Sequence, residues 1–377
     1  MPLPVTPTLA SAPGRRFAAT LLNAVACLHP ALAEARLADA IDRNLSRLMR
    51  EHAIPGVQVS LVIADRPIRT HCRGVSHTSP SRPMTALCRW RAASLSKPLA
   101  AIVALRLAEL GRFDLDGPAP HALRPFFPDA PHAALAAITP RLLLCHRAGL
   151  APSYSPQLPL ESPPADNTGA LRGALGPGCT LAIARDPGSH TTYCAGGYML
   201  LQHLMEIATG QPFERLLREC CTDPLGLPRT TCDASAHFDP DLVTPHDAHG
   251  RPLSPTWSPA AAATGLVTTS HDMAAILQAL MRSAGGLPSP LNLNPQSALA
   301  ILTPFPVGAA FTLGLHLLHD TDERVLTHGG ILTGLRSLVT IIPRRRTAFV
   351  GVANSDSGFA ALRPLSGLVQ QVALARP

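Results

Sequence analysis

The hydrophobic pattern of the chain switches twice between strand-like and helix-like spacing, and this constrains the fold more than any other feature. After a helical segment at 37–51, residues 56–64 alternate like a β-strand, and 68–75 form a second such run. Helical spacing with Pro-rich loops fills about 112–260. The strand-like pattern returns in residues 311–318, 325–331, 335–342 and 347–354, ahead of a last helix at about 359–374. Strands at both ends with helices between them predict an α+β fold, in which one sheet layer carries an inserted helical lobe.

The composition is that of a folded chain with a large core. Hydrophobic residues make up 46% of the 377 positions, which excludes a disordered chain, and the 39 prolines and 27 glycines predict long loops. No stretch approaches the roughly 18 consecutive apolar residues of a membrane span, so we expect none. We place an α/β lobe at about 34–112 and 261–377, and the helical lobe at about 113–260.

Lys97 is the only lysine of the chain, and the other basic residues are arginines. No glycines stand before Lys97 at the offsets of a GxxxxGK[ST] phosphate loop, which excludes that type of nucleotide site. The net charge of +7 raises the question of nucleic-acid binding. The arginines are scattered, however, apart from the run at 344–346, and aromatic residues make up only 4% of the chain. We therefore predict a charged surface and no nucleic-acid partner.

The N-terminal segment has the pattern of a secretory leader. A pair of arginines followed by an apolar run spans 15–28, and Ala-Leu-Ala at 31–33 fits a cleavage site. We predict a signal peptide over 1–33 and a periplasmic or secreted protein; the alternative is an amphipathic helix or tail on a cytoplasmic protein. Asn23 interrupts the apolar run ahead of Cys27, which argues against lipid attachment there. In an exported chain the nine cysteines can form disulfides, but their pairing is not deducible.

The first candidate for chemistry is Ser94-Leu95-Ser96-Lys97, at the start of a helix predicted over 94–110. Residues three apart share a helix face, so Ser94 and Lys97 are expected to lie together. A serine hydroxyl is a poor nucleophile until a base takes its proton, and a lysine amine can act as that base. The helix N-terminus also favours a developing oxyanion. The alternative is a surface lysine behind an ordinary N-cap serine, and the motif alone does not decide between them.

Further segments extend this motif in order along the chain. RAASLSKPLAA at 91–101 resembles the active-site segment of the serine β-lactamase and penicillin-binding-protein superfamily, and is most similar to its esterase and peptidase branch. Later segments are similar to the family in the same order: 139–150 (TPRLLLCHRAGL), 193–198 (YCAGGY), 261–272 (AAATGLVTTSHD), 328–330 (HGG), 334–337 (GLRS) and 354–356 (NSD). The resemblance covers about residues 37–377, and this ordered set is far more specific than any one motif.

The resemblance implies both a fold and a mechanism. The fold is β-lactamase/transpeptidase-like: an antiparallel sheet of about five strands flanked by helices, with the helical lobe inserted. Ser94 would attack a carbonyl and form an acyl-enzyme that water releases, while Lys97 and Tyr193 share the proton transfers. The backbone N–H groups of Ser94 and Ile331 would form the oxyanion hole, and such donors are each worth about 10²–10³ in rate.

Two positions in the substrate site depart from the family's pattern. Ala195 stands where the family has an asparagine, whose amide binds the acylamide of the substrate. His328, ahead of Gly329 and Gly330, stands where many members have a lysine that binds a substrate carboxylate. A neutral imidazole binds a carboxylate poorly near pH 7. Arg336 is a further candidate for that carboxylate, or else a surface arginine of its strand.

These departures rank the candidate functions. We predict a metal-independent serine hydrolase without a cofactor: an esterase or small-amide hydrolase first, then a D-amino-acid peptidase or carboxypeptidase, then a β-lactamase. The partner is a small-molecule ester, amide or peptide substrate, and the oligomeric state stays open. The competing class is a non-catalytic, penicillin-binding-like sensor, which Ala195 motivates and the complete set of Ser94, Lys97 and Tyr193 opposes.

Four other side chains have structural interpretations. His146, in the segment 139–150, is predicted to pack at a helix end rather than to act in catalysis. His246 and His249 form an HxxH in a Pro-rich loop without the glutamate of HExxH, so we predict polar surface residues. Cys194, beside Tyr193, is predicted to line the pocket without acting as a second nucleophile.

Overall fold

The computed structural model describes residues 30–375 except 164, 176–180 and 322, with side chains from residue 37 onward. Most of the predicted leader, including Cys27, lies outside these residues. The helices are α1 (Pro30–Glu51), α2 (Ser96–Glu109), α3 (Pro120–Leu123), α4 (His132–Ala136), α5 (Pro140–Leu144), α6 (Asn167–Leu171), α7 (Ala195–Thr209), α8 (Phe213–Leu217), α9 (Asp223–Leu225), α10 (Ser270–Ala284), α11 (Pro295–Ile301) and α12 (Phe359–Leu374). The strands are β1 (Gly56–Ile63), β2 (Arg69–Thr78), β3 (Ser81–Pro83), β4 (Trp90–Arg91), β5 (Leu158–Pro159), β6 (Thr256–Trp257), β7 (Val267–Thr268), β8 (His316–His319), β9 (Val325–Leu332), β10 (Leu335–Ile342) and β11 (Thr347–Ala353).

The main sheet has seven strands in the order β3-β2-β1-β11-β10-β9-β8, and every neighbouring pair is antiparallel. The expectation of about five strands was wrong. The two edge strands are short, with three residues in β3 and four in β8. Such short edges carry little alternation in the sequence, and they also limit unwanted pairing with other chains.

The two faces of the sheet are covered by different helices. Helices α1 and α12 pack on one face and on each other, and α10 packs on the other face. Strand β1 is buried along its whole length, so both of its faces carry contacts. Val57 and Val59 join the apolar cluster under α1 and α12, whereas Gln58 accepts a hydrogen bond from the backbone N–H of Ser270 at 2.7 Å. The polar residues of this central strand therefore anchor the start of α10.

Helix α2 runs through the interior between the sheet and the short helices of residues 120–225. Eleven of its residues are buried, as expected for a helix covered on all sides. It contacts α7, α8 and α11, and the turn at its N-terminus contacts β9 and β10. The start of α2 thus lies where the sheet meets the helical part. No helix among the described residues is long and apolar enough to cross a membrane.

Several predicted boundaries and positions needed correction. The helix predicted over 94–110 begins with a 3-10 turn at Ala93–Leu95 before α2. The strand predicted at 311–318 begins only at His316, because Gly314 (φ +102°) turns the chain against the backbone of α2. His246 is completely buried rather than on the surface. Its Nδ1 lies 2.9 Å from the carbonyl oxygen of Asn354, so this loop is tied to the end of β11, while His249 is exposed.

Candidate active site

Ser94 lies in the 3-10 turn Ala93–Leu95, between β4 and α2. Ala93 has a φ of +52°, a left-handed conformation that costs a non-glycine residue energy and often marks a functional turn. The hydroxyl of Ser96 holds the turn from below: it donates to the carbonyl oxygen of Ala93 at 2.7 Å and accepts the N–H of Leu266 at 3.1 Å. The turn therefore presents the side chain of Ser94 on a fixed support.

Lys97 is completely buried, one turn after Ser94. Its Nζ donates to Ser94 Oγ at 3.1 Å and to the carbonyl oxygen of Ala263 at 2.8 Å. No carboxylate pairs with Lys97 among the residues that the structure describes. Burying an ionisable amine without a counter-ion is costly, and such groups concentrate at functional sites.

Tyr193 completes the constellation around Ser94. Its hydroxyl donates to Ser94 Oγ at 2.8 Å, and Lys97 Nζ lies 5.2 Å from its ring centroid. His146 fixes the backbone on both sides of Tyr193. Its carbonyl oxygen accepts a hydrogen bond from the N–H of Thr192 at 2.8 Å, and its Nδ1 accepts one from the N–H of Cys194 at 3.2 Å. The structure brings together the three side chains predicted to be catalytic, and Ser94 Oγ is the atom they share.

Tyr198 serves the core instead. It is fully buried, and its hydroxyl donates to the carbonyl oxygen of Leu144 at 2.6 Å. Burial is the main cause that raises the pKa of the Tyr198 phenol well above its usual value, so it stays protonated at neutral pH. The two tyrosines near the nucleophile therefore have different surroundings.

Strand β9 packs directly against the turn that carries Ser94. A Cβ at Gly330 would lie 2.6 Å from the carbonyl oxygen of Ala92 and 2.1 Å from Ser337 Oγ, so only glycine fits there. Ile331 follows at the rim of the site, with 44% of its surface exposed. This packing puts the predicted oxyanion residues, Ser94 and Ile331, on two elements in direct contact.

His328 lies on β9 and is 2% exposed. Its Nδ1 is 3.0 Å from the carbonyl oxygen of Gly329, whereas its buried Nε2 has no partner among the described residues. Burial, together with the nearby His316 and Lys97, holds the pKa of His328 well below its usual value. The imidazole that replaces the family's lysine is therefore neutral at pH 7.

His316, the first residue of β8, is a site neighbour that the sequence did not reveal. Its ring stacks on Tyr193, with 5.9 Å between centroids and 29° between planes, and lies 4.8 Å from the ring of His328. Burial, and secondarily Lys97, lowers the pKa of His316 to about 4. The chain spacing of His316 and His328 gives no sign of this contact, which arises from the pairing of β8 with β9.

Two of the predicted substrate-binding positions are already engaged within the protein. Ala195 is buried at the start of α7, and its N–H donates to the carbonyl oxygen of Ser153 at 3.0 Å. The guanidinium of Arg336 lies 2.9 Å from a carboxylate oxygen of Asp356 and 2.6 Å from the carbonyl oxygen of Leu332. The donors of Arg336 are thus largely used without a substrate.

Within the described residues, the cysteines form no disulfides and no side-chain cluster suits a metal ion. Seven cysteines have free thiols there: Cys72, Cys88, Cys145, Cys194, Cys220, Cys221 and Cys232. Cys194 Sγ lies 3.1 Å from Ser153 Oγ, and burial raises the pKa of this thiol, which makes it a poor nucleophile. No group of three or more His, Cys, Asp or Glu side chains in this part of the chain could hold a metal ion.

Comparison with known proteins gives relatives of several activities. The chain is 27% identical over 180 residues to penicillin-binding protein 4 of Amycolatopsis lactamdurans, covering 48% of this chain and 45% of that protein. It is 26% identical over 226 residues to esterase EstB of Burkholderia gladioli, covering 58% of this chain and 57% of that protein. The chain thus spans about half the length of the curated relatives it matches.

Solved structures share the fold at low sequence identity. The crystal structure of SurE superposes with a TM-score of 0.73 at 23% identity, covering 91% of this chain and 78% of that chain. D-amino acid amidase from Ochrobactrum anthropi SV3, complexed with L-phenylalanine, gives 0.70 at 23% identity, covering 90% and 98%. The family model described as "Beta-lactamase" matches residues 41–373, nearly the whole chain. With this match and the shared fold, the chain belongs to the beta-lactamase family of serine hydrolases.

Proposed function

We propose that this protein hydrolyses esters or small amides through an acyl-enzyme on Ser94. One observation carries the proposal: Ser94 Oγ accepts hydrogen bonds from both Lys97 Nζ, at 3.1 Å, and Tyr193 OH, at 2.8 Å. Nucleophilic catalysis requires a base within hydrogen-bond reach of the serine oxygen, and either of these two groups can act as that base once it has lost its own proton.

The proposed reaction has two halves. Ser94 Oγ bonds to the substrate carbonyl carbon while its proton passes to the basic member of the Lys97–Tyr193 pair. The negative oxygen of the tetrahedral intermediate accepts hydrogen bonds from the backbone N–H groups of Ser94 and Ile331. The leaving group then departs with a proton from the same pair. Water repeats the sequence on the acyl-enzyme and releases the acid, so that Ser94 regains its proton.

The surroundings of the nucleophile favour substrates without a carboxylate near the scissile bond. His328 is neutral where the family has lysine, Arg336 is bound to Asp356, and Ala195 offers no side-chain amide. We therefore rank ester and small-amide hydrolysis above D-amino-acid peptidase or carboxypeptidase activity, and that above β-lactam hydrolysis. One relative, EstB, is named an esterase, which supports ester hydrolysis as the first choice. The predicted signal peptide and periplasmic or secreted location remain part of this proposal.

Hydrolysis of p-nitrophenyl butyrate by the full chain tests the proposal, with nitrocefin in parallel and Ser94→Ala as the variant. Ser81→Ala, on the exposed edge strand β3, is the matched serine control. We expect ester turnover in the wild type and in Ser81→Ala, its loss in Ser94→Ala, and little nitrocefin hydrolysis. A stable acyl adduct on Ser94 in the intact mass, without turnover, would instead identify the non-catalytic sensor. Equal rates in wild type and Ser94→Ala would refute the mechanism.

A further inference from the structure

Gln202 is a buried amide to which the mechanism proposed above gives no role. It lies in α7, which begins two residues after Tyr193, and it is only 5% exposed. Its Oε1 accepts a hydrogen bond from the backbone N–H of Ala262 at 3.1 Å, and its Nε2 donates to Glu206 Oε1 at 3.1 Å. Both polar ends of the side chain are thus bound, and they tie α7 to the segment around Ala262.

The surroundings of Gln202 along its helix are otherwise those of an apolar core. Leu200, Leu201, Leu204 and Met205 are all buried hydrophobic residues of α7. Burying an amide among such residues costs free energy unless its polar atoms are paired, and a leucine or methionine would fill the space without that cost. The hydrogen bonds of Gln202 are therefore the property that distinguishes it from its neighbours.

The segment that Gln202 holds is a tight turn at residues 260–265. The carbonyl oxygen of Ala260 accepts hydrogen bonds from the N–H groups of the last three residues of this turn, at distances between 2.8 and 3.1 Å. The N–H of Ala262 is not one of these three, and Gln202 binds it instead. The bonds to Ala260 keep the turn compact, and the bond from Ala262 attaches it to α7.

The same turn supplies an acceptor to Lys97. The carbonyl oxygen of Ala263, the residue after Ala262, accepts a hydrogen bond from Lys97 Nζ at 2.8 Å, and Nζ also donates to Ser94 Oγ at 3.1 Å. A displacement of Ala262 would carry Ala263 with it, because a planar peptide unit joins the two residues. The contacts thus run without interruption from the amide of Gln202 to the oxygen of Ser94.

We infer that Gln202 is a positioning residue for the proposed acyl transfer: by holding the N–H of Ala262, it sets the place of the carbonyl oxygen to which Lys97 is bound. Nζ has to stay within hydrogen-bond reach of Ser94 Oγ to exchange a proton with it. A misplacement of about 1 Å is enough to cost about 10² in rate. This inference rests on the proposed function, since it concerns the same proton transfer.

Two glutamine variants of the full chain test the inference. Gln202→Met keeps the length of the side chain and removes both of its hydrogen bonds. Gln278→Met is the matched control, because Gln278 is a helical glutamine whose Nε2 also donates to the backbone, at 2.8 and 3.0 Å, in the turn after β1. The measurements are kcat/KM for p-nitrophenyl butyrate and the rate at which a fluorophosphonate, a reagent for activated serines, labels Ser94, read by intact mass.

We expect Gln202→Met to lower both rates by about 10–100-fold, and Gln278→Met to react at the wild-type rates. Gln202→Glu keeps an oxygen for the N–H of Ala262, and beside Glu206 its carboxyl should hold a proton that replaces the amide donor. It should therefore recover most of the lost rate at pH 6.5. A Gln202→Met variant as fast as Gln278→Met would overturn the inference, as would a Gln202→Glu variant no faster than Gln202→Met.

A second background separates positioning from a general loss of structure. If Gln202 acts through Lys97, Gln202→Met should not slow labelling further in Lys97→Met, because the group that it positions is already absent. Slowing by the same factor with and without the lysine would indicate a merely structural role and overturn the inference. Where Lys97→Met labels too slowly to compare, the rescue by Gln202→Glu decides. Gln202→Ala replaces Gln202→Met if urea unfolding shows that the latter does not fold.

The outcomes separate this inference from the proposed function. If Ser94→Ala is inactive and Gln202→Met is as active as the wild type, the proposed function stands and the role of Gln202 is wrong. If the wild type is labelled at Ser94 without hydrolysing the ester, the labelling rates alone decide the role of Gln202. Absence of labelling together with absence of turnover overturns both proposals.

Discussion

At the scale of single residues, the proposed chemistry depends on the placement of Lys97. Its Nζ is buried, and its two acceptors are a serine hydroxyl and the carbonyl oxygen of Ala263, neither of which carries a full negative charge. Such a group is expensive to keep in a protein interior unless it works there. The hydrogen bond to the carbonyl oxygen of Ala263 fixes the position of Nζ, and the second hydrogen bond directs Nζ at Ser94. In the proposed mechanism, Tyr193 supplies a second route for the proton.

Tyr193→Phe separates the role of the hydroxyl from that of the ring. The ring contacts with His316 and His146 are kept, and the 2.8 Å hydrogen bond to Ser94 is lost. We expect kcat for p-nitrophenyl butyrate to fall by about 10²–10⁴, the usual contribution of a proton-transferring group. If kcat stays at the wild-type value, Lys97 alone moves the proton.

Tyr198→Phe is the matched control for that variant. It removes the hydrogen bond to Leu144 without touching Ser94, so kcat should stay near the wild-type value. Its free energy of unfolding should fall by about 1 kcal/mol, as for one buried hydrogen bond. Urea unfolding of both variants therefore distinguishes a loss of chemistry from a loss of stability.

Ser94, Lys97 and Tyr193 could be predicted from the sequence because each lies in a short segment whose neighbouring residues resemble a family motif. His316 has no such context. It faces the site because β8 pairs with β9 so that His316 opposes Thr327, next to His328. That register depends on tertiary packing, and one slipped residue would turn His316 to the other face of the sheet. For the same reason the engagement of Arg336 by Asp356 was not foreseeable.

At the scale of elements, the contact between β9 and the nucleophile turn depends on the missing side chain of Gly330. In Gly330→Ala the new Cβ would overlap the backbone oxygen of Ala92 and push β9 away from Ser94. We expect kcat/KM to fall by about 100-fold, the effect of a displacement near 1 Å. Stability should fall by about 1–3 kcal/mol from overpacking. Ester hydrolysis and urea unfolding measure both.

Gly367→Ala provides the opposite case. Gly367 lies inside α12, and a Cβ there would meet nothing within 4 Å. Alanine is the better helix former, so the free energy of unfolding should rise by about 0.5–1 kcal/mol with activity unchanged. If Gly330→Ala and Gly367→Ala had the same effects on activity and stability, tight packing at Gly330 would not explain the activity that Gly330→Ala loses.

The elements that the sequence predicted best are those with long, undisturbed patterns. Strand β10 (Leu335–Ile342) and helix α12 (Phe359–Leu374) have the predicted bounds. The first part of the stretch 311–318 failed because Gly314 bends the chain against Lys97 and Pro98, a close approach between distant segments. Strand β3 escaped notice because its three residues are all exposed and show no alternation.

At the scale of the whole molecule, buried neutral histidines link stability to pH. Burial lowers the pKa of His237 and of His316 to about 4, and those of His146 and His328 fall well below the usual value. Between pH 6.5 and about 4 the unfolded chain therefore binds more protons than the folded chain. Each such histidine should lower the free energy of unfolding by about 1.4 kcal/mol per pH unit as the pH falls through that window.

Urea unfolding at pH 7.5 and at pH 5 checks this linkage. We expect a clearly lower midpoint at pH 5, and a smaller difference in His316→Phe, which has one fewer group to protonate. His249→Asn removes an exposed histidine and should leave the difference unchanged. Equal midpoints at the two pH values would mean that these imidazoles accept protons in the folded state.

The burial of the chain's single lysine has a practical consequence for labelling. An amine-directed dye finds only the α-amino group on the folded protein, because Lys97 has no exposed surface. The amount of dye attached at Lys97 would therefore measure the fraction of molecules that have unfolded far enough to expose this side chain. The rate at which the label appears would give the rate of that unfolding. The same reagent that marks one end of the native chain would thus also report how often its interior is exposed.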